Sequence, residues 1–191
     1  MTPFIDRTTV VDILCQSFDT NKSVNYVVKQ GKYRKQRIRA LMEYSYDVCQ
    51  MFGKIYLSDD GSACALTLMP EQKRTSLKSI ILDVKLIFSC IGLWRVFKVL
   101  KRDSMIKASY PNKSVFYLWF IGVRIADQNK GQGSALLSEI IKDADLIQHP
   151  IYLETSMSEN VFFYKKHGFE VYKELVFDHK LFLLRRFVCN N

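Results

Sequence analysis

Residues 128–134, Gln-Asn-Lys-Gly-Gln-Gly-Ser, lie between a nearly continuous apolar run (Lys113–Val123) and a stretch of helical periodicity. Gly131 and Gly133 let a backbone turn tightly and expose successive N–H groups. A helix beginning there adds the positive end of its dipole, so the loop reads as an anion site. Lys130 adds a cation at its mouth, and a phosphate or pyrophosphate is the natural occupant. Two common phosphate loops do not fit. No Gly-Lys-Ser/Thr occurs, as a P-loop requires, and Leu136 stands where a dinucleotide fingerprint needs a third small residue. Only 58 residues follow Gly133, too few for the rest of a dinucleotide-binding pair of units. A plain strand-to-helix turn is the alternative reading.

Metal and disulfide chemistry have little support. The five cysteines (Cys15, Cys49, Cys64, Cys90, Cys189) contain no Cys-x-x-Cys, and His149, His167 and His179 are scattered. No metal is expected, and a reducing cytoplasm is the expected compartment. The amino-terminal MTPFIDRTTVVD carries Asp6 and Asp12 and lacks a basic stretch followed by an apolar core, so it does not read as a signal peptide.

The elements that must position the loop follow from periodicity. Thr8–Phe18 and Arg34–Gln50 carry apolar residues at helical spacing. Lys54–Ser58 and Ser62–Met69 are strand-like runs around Asp59-Asp60-Gly61, a hairpin signal, and Pro70 stops the second. Thr75–Arg102 is apolar-rich and helical, but its longest uncharged run has nine residues against the roughly 20 needed to span a bilayer. It is expected to pack on a sheet or cover a cleft, with an interfacial role the weaker alternative. Lys113–Val123 has the profile of a central strand buried on both faces. A helix through about Ala144, a strand Ile151–Thr155, a short helix Glu159–His167 stopped by Gly168, and an antiparallel pair around Asp178-His179 complete the chain. One α/β domain over residues 1–191 with a mixed sheet is predicted.

Gln128-x-x-Gly131-x-Gly133, after a strand ending Ile121-Gly122-Val123, resembles motif A of the GNAT N-acetyltransferase superfamily. The run Asn160-Val-Phe-Phe-Tyr164-Lys-Lys-His-Gly168-Phe169 resembles its motif B. The resemblance implies a mostly antiparallel twisted sheet with two central parallel strands that splay apart, flanked by helices. It implies that acetyl-CoA lies in the gap between the strands ending near Val123 and Thr155. Ile121, Gly122 and Val123 would then supply strand-edge contacts, with backbone groups from Ile121 and Val123. The N–H groups of Asn129, Lys130, Gly131, Gln132, Gly133 and Ser134 would hold the pyrophosphate, with Gln128 a further cofactor contact. The implied reaction is direct attack of an amine on the thioester in a ternary complex, and Tyr164 matches the position that protonates the leaving thiolate.

An amine of pKa about 10 is mostly protonated at neutral pH and needs a base. Glu154, which shares a strand face with Tyr152, is the candidate; a sheet-surface glutamate is the alternative. Tyr117 and His149 are weaker candidates. Asn160, one turn before Tyr164, is a further cofactor contact or else a helix cap; the common family spacing would place the asparagine at position 157, which is Met157. Tyr117, Trp119 and Phe120 line the acceptor pocket or belong to the core.

The net charge of +9 fits an anionic partner such as CoA. The basic run Lys29–Arg39 reads as a solvated face before it reads as a nucleic-acid patch. The expected function is acetyl transfer from acetyl-CoA to the primary amine of a small molecule. The alternatives are acetylation of a protein N-terminus or lysine, and a CoA-binding sensor without catalysis. The sequence does not set the acceptor or the oligomeric state.

Overall fold

The computed structural model describes residues 6–110 and 114–188. Cys189 and Lys113 therefore lie outside the described residues, as do the first five residues of the amino-terminal segment read above.

Helix α1 (Arg7–Ser17) starts where the Asp6 carboxylate accepts the Thr8 and Thr9 N–H groups, the usual repair for orphaned donors at a helix start. A six-residue helix, α2 (Lys22–Val27), is capped by Asn21. Helix α3 (Arg34–Phe52) runs directly into β1 (Gly53–Leu57), which pairs antiparallel with β2 (Ala63–Leu68). The turn between them is the expected one. Gly61 takes φ +63°, and the Asp60 carboxylate accepts the Ser62 N–H at 2.9 Å.

The 75–102 stretch does not form one helix. Ser76 and Ser79 make a reciprocal cap for α4 (Leu77–Leu86), a wide turn covers Ile87–Ile91, and Gly92 reverses the chain at φ +79°. Helix α5 (Val96–Lys107) follows. Gly92 is the only glycine in the stretch, and a left-handed backbone conformation is open to it at little steric cost.

Strands β3 (Phe116–Val123) and β4 (Ile151–Thr155) flank helix α6 (Gln132–Leu146) in sequence. Helix α7 (Ser158–Lys166) ends at Gly168, φ +82°, before β5 (Glu170–Val176) and β6 (Lys180–Arg186). The sheet order is β1-β2-β3-β4-β6-β5, and all neighbours are antiparallel except β3 and β4. This is the mixed, mostly antiparallel α/β architecture expected from the sequence.

Strand alternation explains the layering. Cys64, Leu66 and Phe120 pack on one face against Val10, Leu14, Ile38 and Met42 of α1 and α3. Ala63, Ala65, Phe116 and Leu118 pack on the other against Leu136, Leu137, Ile140 and Tyr164 of α6 and α7. β3 is thus buried from both sides, which is why its sequence is almost continuously apolar.

Candidate active site

The parallel ladder between β3 and β4 contains two residue pairs, Phe116–Ile151 and Tyr117–Tyr152. Beyond Tyr117 each strand stays bound on its far side only, β3 to β2 as far as Val123 and β4 to β6 as far as Thr155. The two facing edges therefore part. Arg124 N–H donates to the Ser62 carbonyl and Ser58 N–H to that of Ala63, each at 2.8 Å. With antiparallel alternation, Gly122 pairs with Cys64, and the backbone groups of Ile121 and Val123 point into the gap. The Val123 carbonyl is already taken, by the Ser17 hydroxyl (2.9 Å) and the Gln128 amide (3.3 Å). The Val123 N–H and both groups of Ile121 remain.

At the open end of the gap lies the glycine loop. Asn129 and Gly131 take positive φ values of 63° and 84°, and Gly131 is the residue before α6. Among the described residues no acceptor meets the backbone N–H groups of Asn129 to Ser134; the first helical bond is Ala135 N–H to Gly131 O. Successive unmet backbone donors at a helix start have the chemistry that suits an anion. A Cβ at Gly131 would meet nothing within 4 Å, and one at Gly133 would make ordinary contacts with Val123 Cγ2 at 3.4 Å and Phe163 Cζ at 3.9 Å. The loop is therefore open on its ligand side.

Both features border one cleft of about 2370 Å³. Ile121, Gly122, Val123, Gln128, Asn129, Gly131, Gly133, Ser134, Glu154, Asn160 and Tyr164 all line it. The side chains of Lys130 and Gln132 are directed elsewhere, to Asp127 (2.9 Å) and Asp60 (2.9 Å). Their backbone N–H groups stay in the row, but the cationic side chain expected at the mouth is paired with a carboxylate. Asn160 is the third residue of α7 and not its cap; the cap position is Met157, which makes no side-chain bond.

Glu154 is no surface residue. Its side chain is 11% exposed and accepts the Tyr117 hydroxyl at 2.7 Å and, at 3.5 Å, that of Tyr110. Burial raises its pKa above the ordinary 4.5, and Arg102 and the Tyr117 hydroxyl pull it partly back. Burial and the Glu154 charge push the two tyrosines well above 10, so both stay protonated donors. Arg102 from α5 is equally buried. Its Nη2 stands 4.0 Å from Glu154 Oε1, and its Nε has no hydrogen-bond partner among the described residues.

Tyr164 is held between Phe163 and Phe169, with ring centroids at 5.2 and 5.6 Å. Burial, and secondarily the Glu154 carboxylate, raises its pKa well above 10, so near neutrality it stays a protonated hydrogen-bond donor and does not act as a base. The carboxylate and the phenol thus share one cleft, one suited to accept a proton and the other to supply one.

Arg102, Tyr110 and α2, whose Asn21 and Ser23 reach the end of β4 through Ser156, were missed by sequence reasoning. Arg102 differs in no sequence feature from its neighbours Lys98 and Lys101. Asn21 three residues before Val24 was the one available signal for α2. Of the basic run, Arg34 pairs with Asp19 (2.6 Å), Arg39 pairs with Asp12, and Arg37 donates to the carbonyls of Lys29 and Gln30. No group of three or more His, Cys, Asp or Glu suited to a metal occurs among the described residues.

No family model matches the sequence. Among solved structures, the chain is similar to the histone acetyltransferase HPA2 and related acetyltransferase of Corynebacterium glutamicum, at 20% identity and TM-score 0.74, covering 97% of this chain and 93% of that one. It is also similar to the C-terminal condensation domain of Ebony in complex with β-alanyl-dopamine, at 13% identity and TM-score 0.69, covering 95% and 94%. Arylalkylamine N-acetyltransferase 2 of Aedes aegypti matches at 16% identity and TM-score 0.62, covering 96% and 94%. With likeness over nearly the whole of each chain, and with its two central parallel strands parting over a glycine loop, this protein has the GNAT acetyltransferase fold.

Proposed function

We propose that the chain, as one domain over residues 1–191 in a cytoplasmic setting, is an acetyl-CoA-dependent N-acetyltransferase acting on the primary amine of a small molecule. One observation carries the reading: a strand edge with unpaired backbone groups leads from a row of free N–H donors to a buried carboxylate and a buried phenol.

The residues present fit acetyl-CoA. The Asn129–Ser134 N–H groups would take the pyrophosphate, and the Ile121 and Val123 backbone groups would take pantetheine amides. Glu154 would remove the amine proton directly or through water. The nitrogen would then attack the thioester carbonyl, with a β3 edge N–H on the developing oxyanion, and lose its second proton to water; as the C–S bond breaks, Tyr164 would give its proton to the leaving thiolate and regain one from water. No covalent enzyme intermediate is needed. A small amine is favoured because Ile80, Leu100 and Arg102 of α4 and α5 line the same cleft as Tyr117 and Trp119 and would narrow the space left for an acceptor. Two of the similar folds support this class: one is an arylalkylamine N-acetyltransferase and the other holds β-alanyl-dopamine.

The test is calorimetric titration of acetyl-CoA into the wild type and a Gly131→Asp/Gly133→Asp variant, followed by thiol-release assays with tyramine, dopamine, a lysine peptide and a free N-terminal peptide. Expected are binding abolished by the two carboxylates, and turnover with the small amines. Absence of wild-type binding overturns the reading. Binding without turnover favours the sensor, and turnover confined to the peptides favours protein acetylation.

A further inference from the structure

Ten of the seventeen large apolar side chains exposed among the described residues lie between Leu77 and Met105, on α4, α5 and the turn between them, a clustering that marks an interaction surface. Along α4 and into the turn after it, Leu77, Ile81, Val84 and Phe88 follow helical spacing and all face solvent. Beyond the Gly92 turn, Leu93, Trp94 and Phe97 do the same, with Trp94 99% and Phe97 83% exposed. These stripes are not frayed ends. Tyr44 of α3 donates to Asp83 at 2.6 Å, and Arg95 donates to the Tyr26 carbonyl, so both helices are pinned with their apolar faces outward.

Charge indicates what would cover them. Lys73 to Lys107 contains nine basic residues and only Asp83 and Asp103 as acids, so +7 of the chain's +9 falls in this segment. Exposed Lys78 and Lys85 flank the α4 stripe, and Lys101 lies one turn from Phe97. Among the described residues no acid lies within ion-pair distance of Lys73, Arg74, Lys78, Lys85 or Lys101. No described helix is long and apolar enough to cross a membrane. An apolar face of Trp, Phe and Leu rimmed by unpaired cations suits a surface that is apolar inside and anionic at its boundary.

We propose that α4 and α5 dock this protein on an anionic lipid bilayer, with Trp94, Phe97 and Phe88 inserted at headgroup level and the surrounding lysines on lipid phosphates. The proposal stands independently of the catalytic reading. It has one consequence for the cleft, because Ile80 and Leu100 of the same helices lie in its wall: the acceptor side would open beside the membrane.

The test is sedimentation of the full chain with phosphatidylcholine vesicles, with and without phosphatidylglycerol, at low and high salt. Two variants accompany it, Trp94→Ser/Phe97→Ser and Lys78→Glu/Lys85→Glu/Lys101→Glu, with circular dichroism as the folding control. The wild type is expected to pellet with anionic vesicles, to do so less in high salt, and to show a blue shift in tryptophan emission. Each variant should partition about tenfold less or weaker still. A wild type that stays in the supernatant at low salt overturns the proposal, as does equal binding by the variants. Self-association removed by the Trp94/Phe97 substitutions, without vesicle binding, assigns the face instead to a second copy of this chain.

Discussion

Replacing Glu154 by Gln tests the catalytic reading most directly. The amide keeps the side chain's shape and an oxygen that can still accept the Tyr117 hydroxyl, now 2.7 Å away. It removes the basic lone pair and the charge. Positioned general bases contribute about 10²–10⁴-fold, or roughly 2.7–5.4 kcal/mol of barrier, so kcat with tyramine should fall by that factor while acetyl-CoA binding is retained. The pH profile separates catalysis from structure. Burial raises the Glu154 pKa and only the carboxylate form can accept a proton, so kcat should decline as pH falls through a value above 4.5. In Glu154→Gln that break should vanish. Tyr117→Phe deletes a donor that favours the carboxylate, so its break should move to higher pH. An assay of CoA thiol release from pH 5 to 9 follows all three proteins. A glutamine variant within about threefold of wild type, with an unaltered profile, would refute the reasoning and leave Glu154 as the buried counter-ion of Arg102.

Two further perturbations read other parts of the structure. Tyr164→Phe keeps the ring between Phe163 and Phe169 and removes the hydroxyl that would donate the proton, so kcat should drop about 10²-fold with acetyl-CoA affinity unchanged, as titration and thiol release would report. Gly53→Ala would put a Cβ 1.9 Å from the Thr67 carbonyl oxygen and 2.9 Å from Leu68 Cα, both backbone atoms that cannot swing aside. Urea unfolding should show a loss of about 3 kcal/mol or more, whereas Gly131→Ala, strained only by its φ of +84°, should lose about 1–2 kcal/mol.

What the sequence disclosed was mostly local. The β1–β2 turn, the glycine loop and the bounds of β4 depend on residues that set their own backbone, such as Gly61 and the Asp60 carboxylate. Gly92 was equally visible, yet the 75–102 stretch reads as continuous because apolar periodicity persists on both sides of a break set by one positive φ. The β5–β6 hairpin could be read from its turn, but not the fact that β6 pairs with β4 and so leaves β5 at the edge. The inner place falls to β6, whose Leu183 and Leu184 are buried on opposite faces, and not to the mostly exposed β5, a tertiary matter. Within the site, Glu154 and Tyr164 could be placed by strand alternation and motif spacing. Arg102 could not, because its burial is created by the fold of α5 over the cleft and by nothing in its neighbouring residues.

The gap between β3 and β4 leaves backbone donors and acceptors unmade at the centre of a sheet, where pairing normally continues. Groups of this kind cost stability when a ligand or water does not meet them. A ligand that bonds the Ile121 and Val123 edge and the Asn129–Ser134 N–H row should therefore stabilise the native state in proportion to its occupancy. At a free concentration about 100 times its Kd, one bound acetyl-CoA adds about 2.7 kcal/mol. For a chain of this size that corresponds to a Tm increase of about 5–10 °C. Differential scanning fluorimetry measures it, and the Gly131→Asp/Gly133→Asp variant should show little or none of the shift. If acetyl-CoA raises the variant's Tm as much as the wild type's, the pyrophosphate does not rest on this loop. The open edge would then serve some other ligand, since strand spacing alone does not distinguish a pantetheine amide from a peptide.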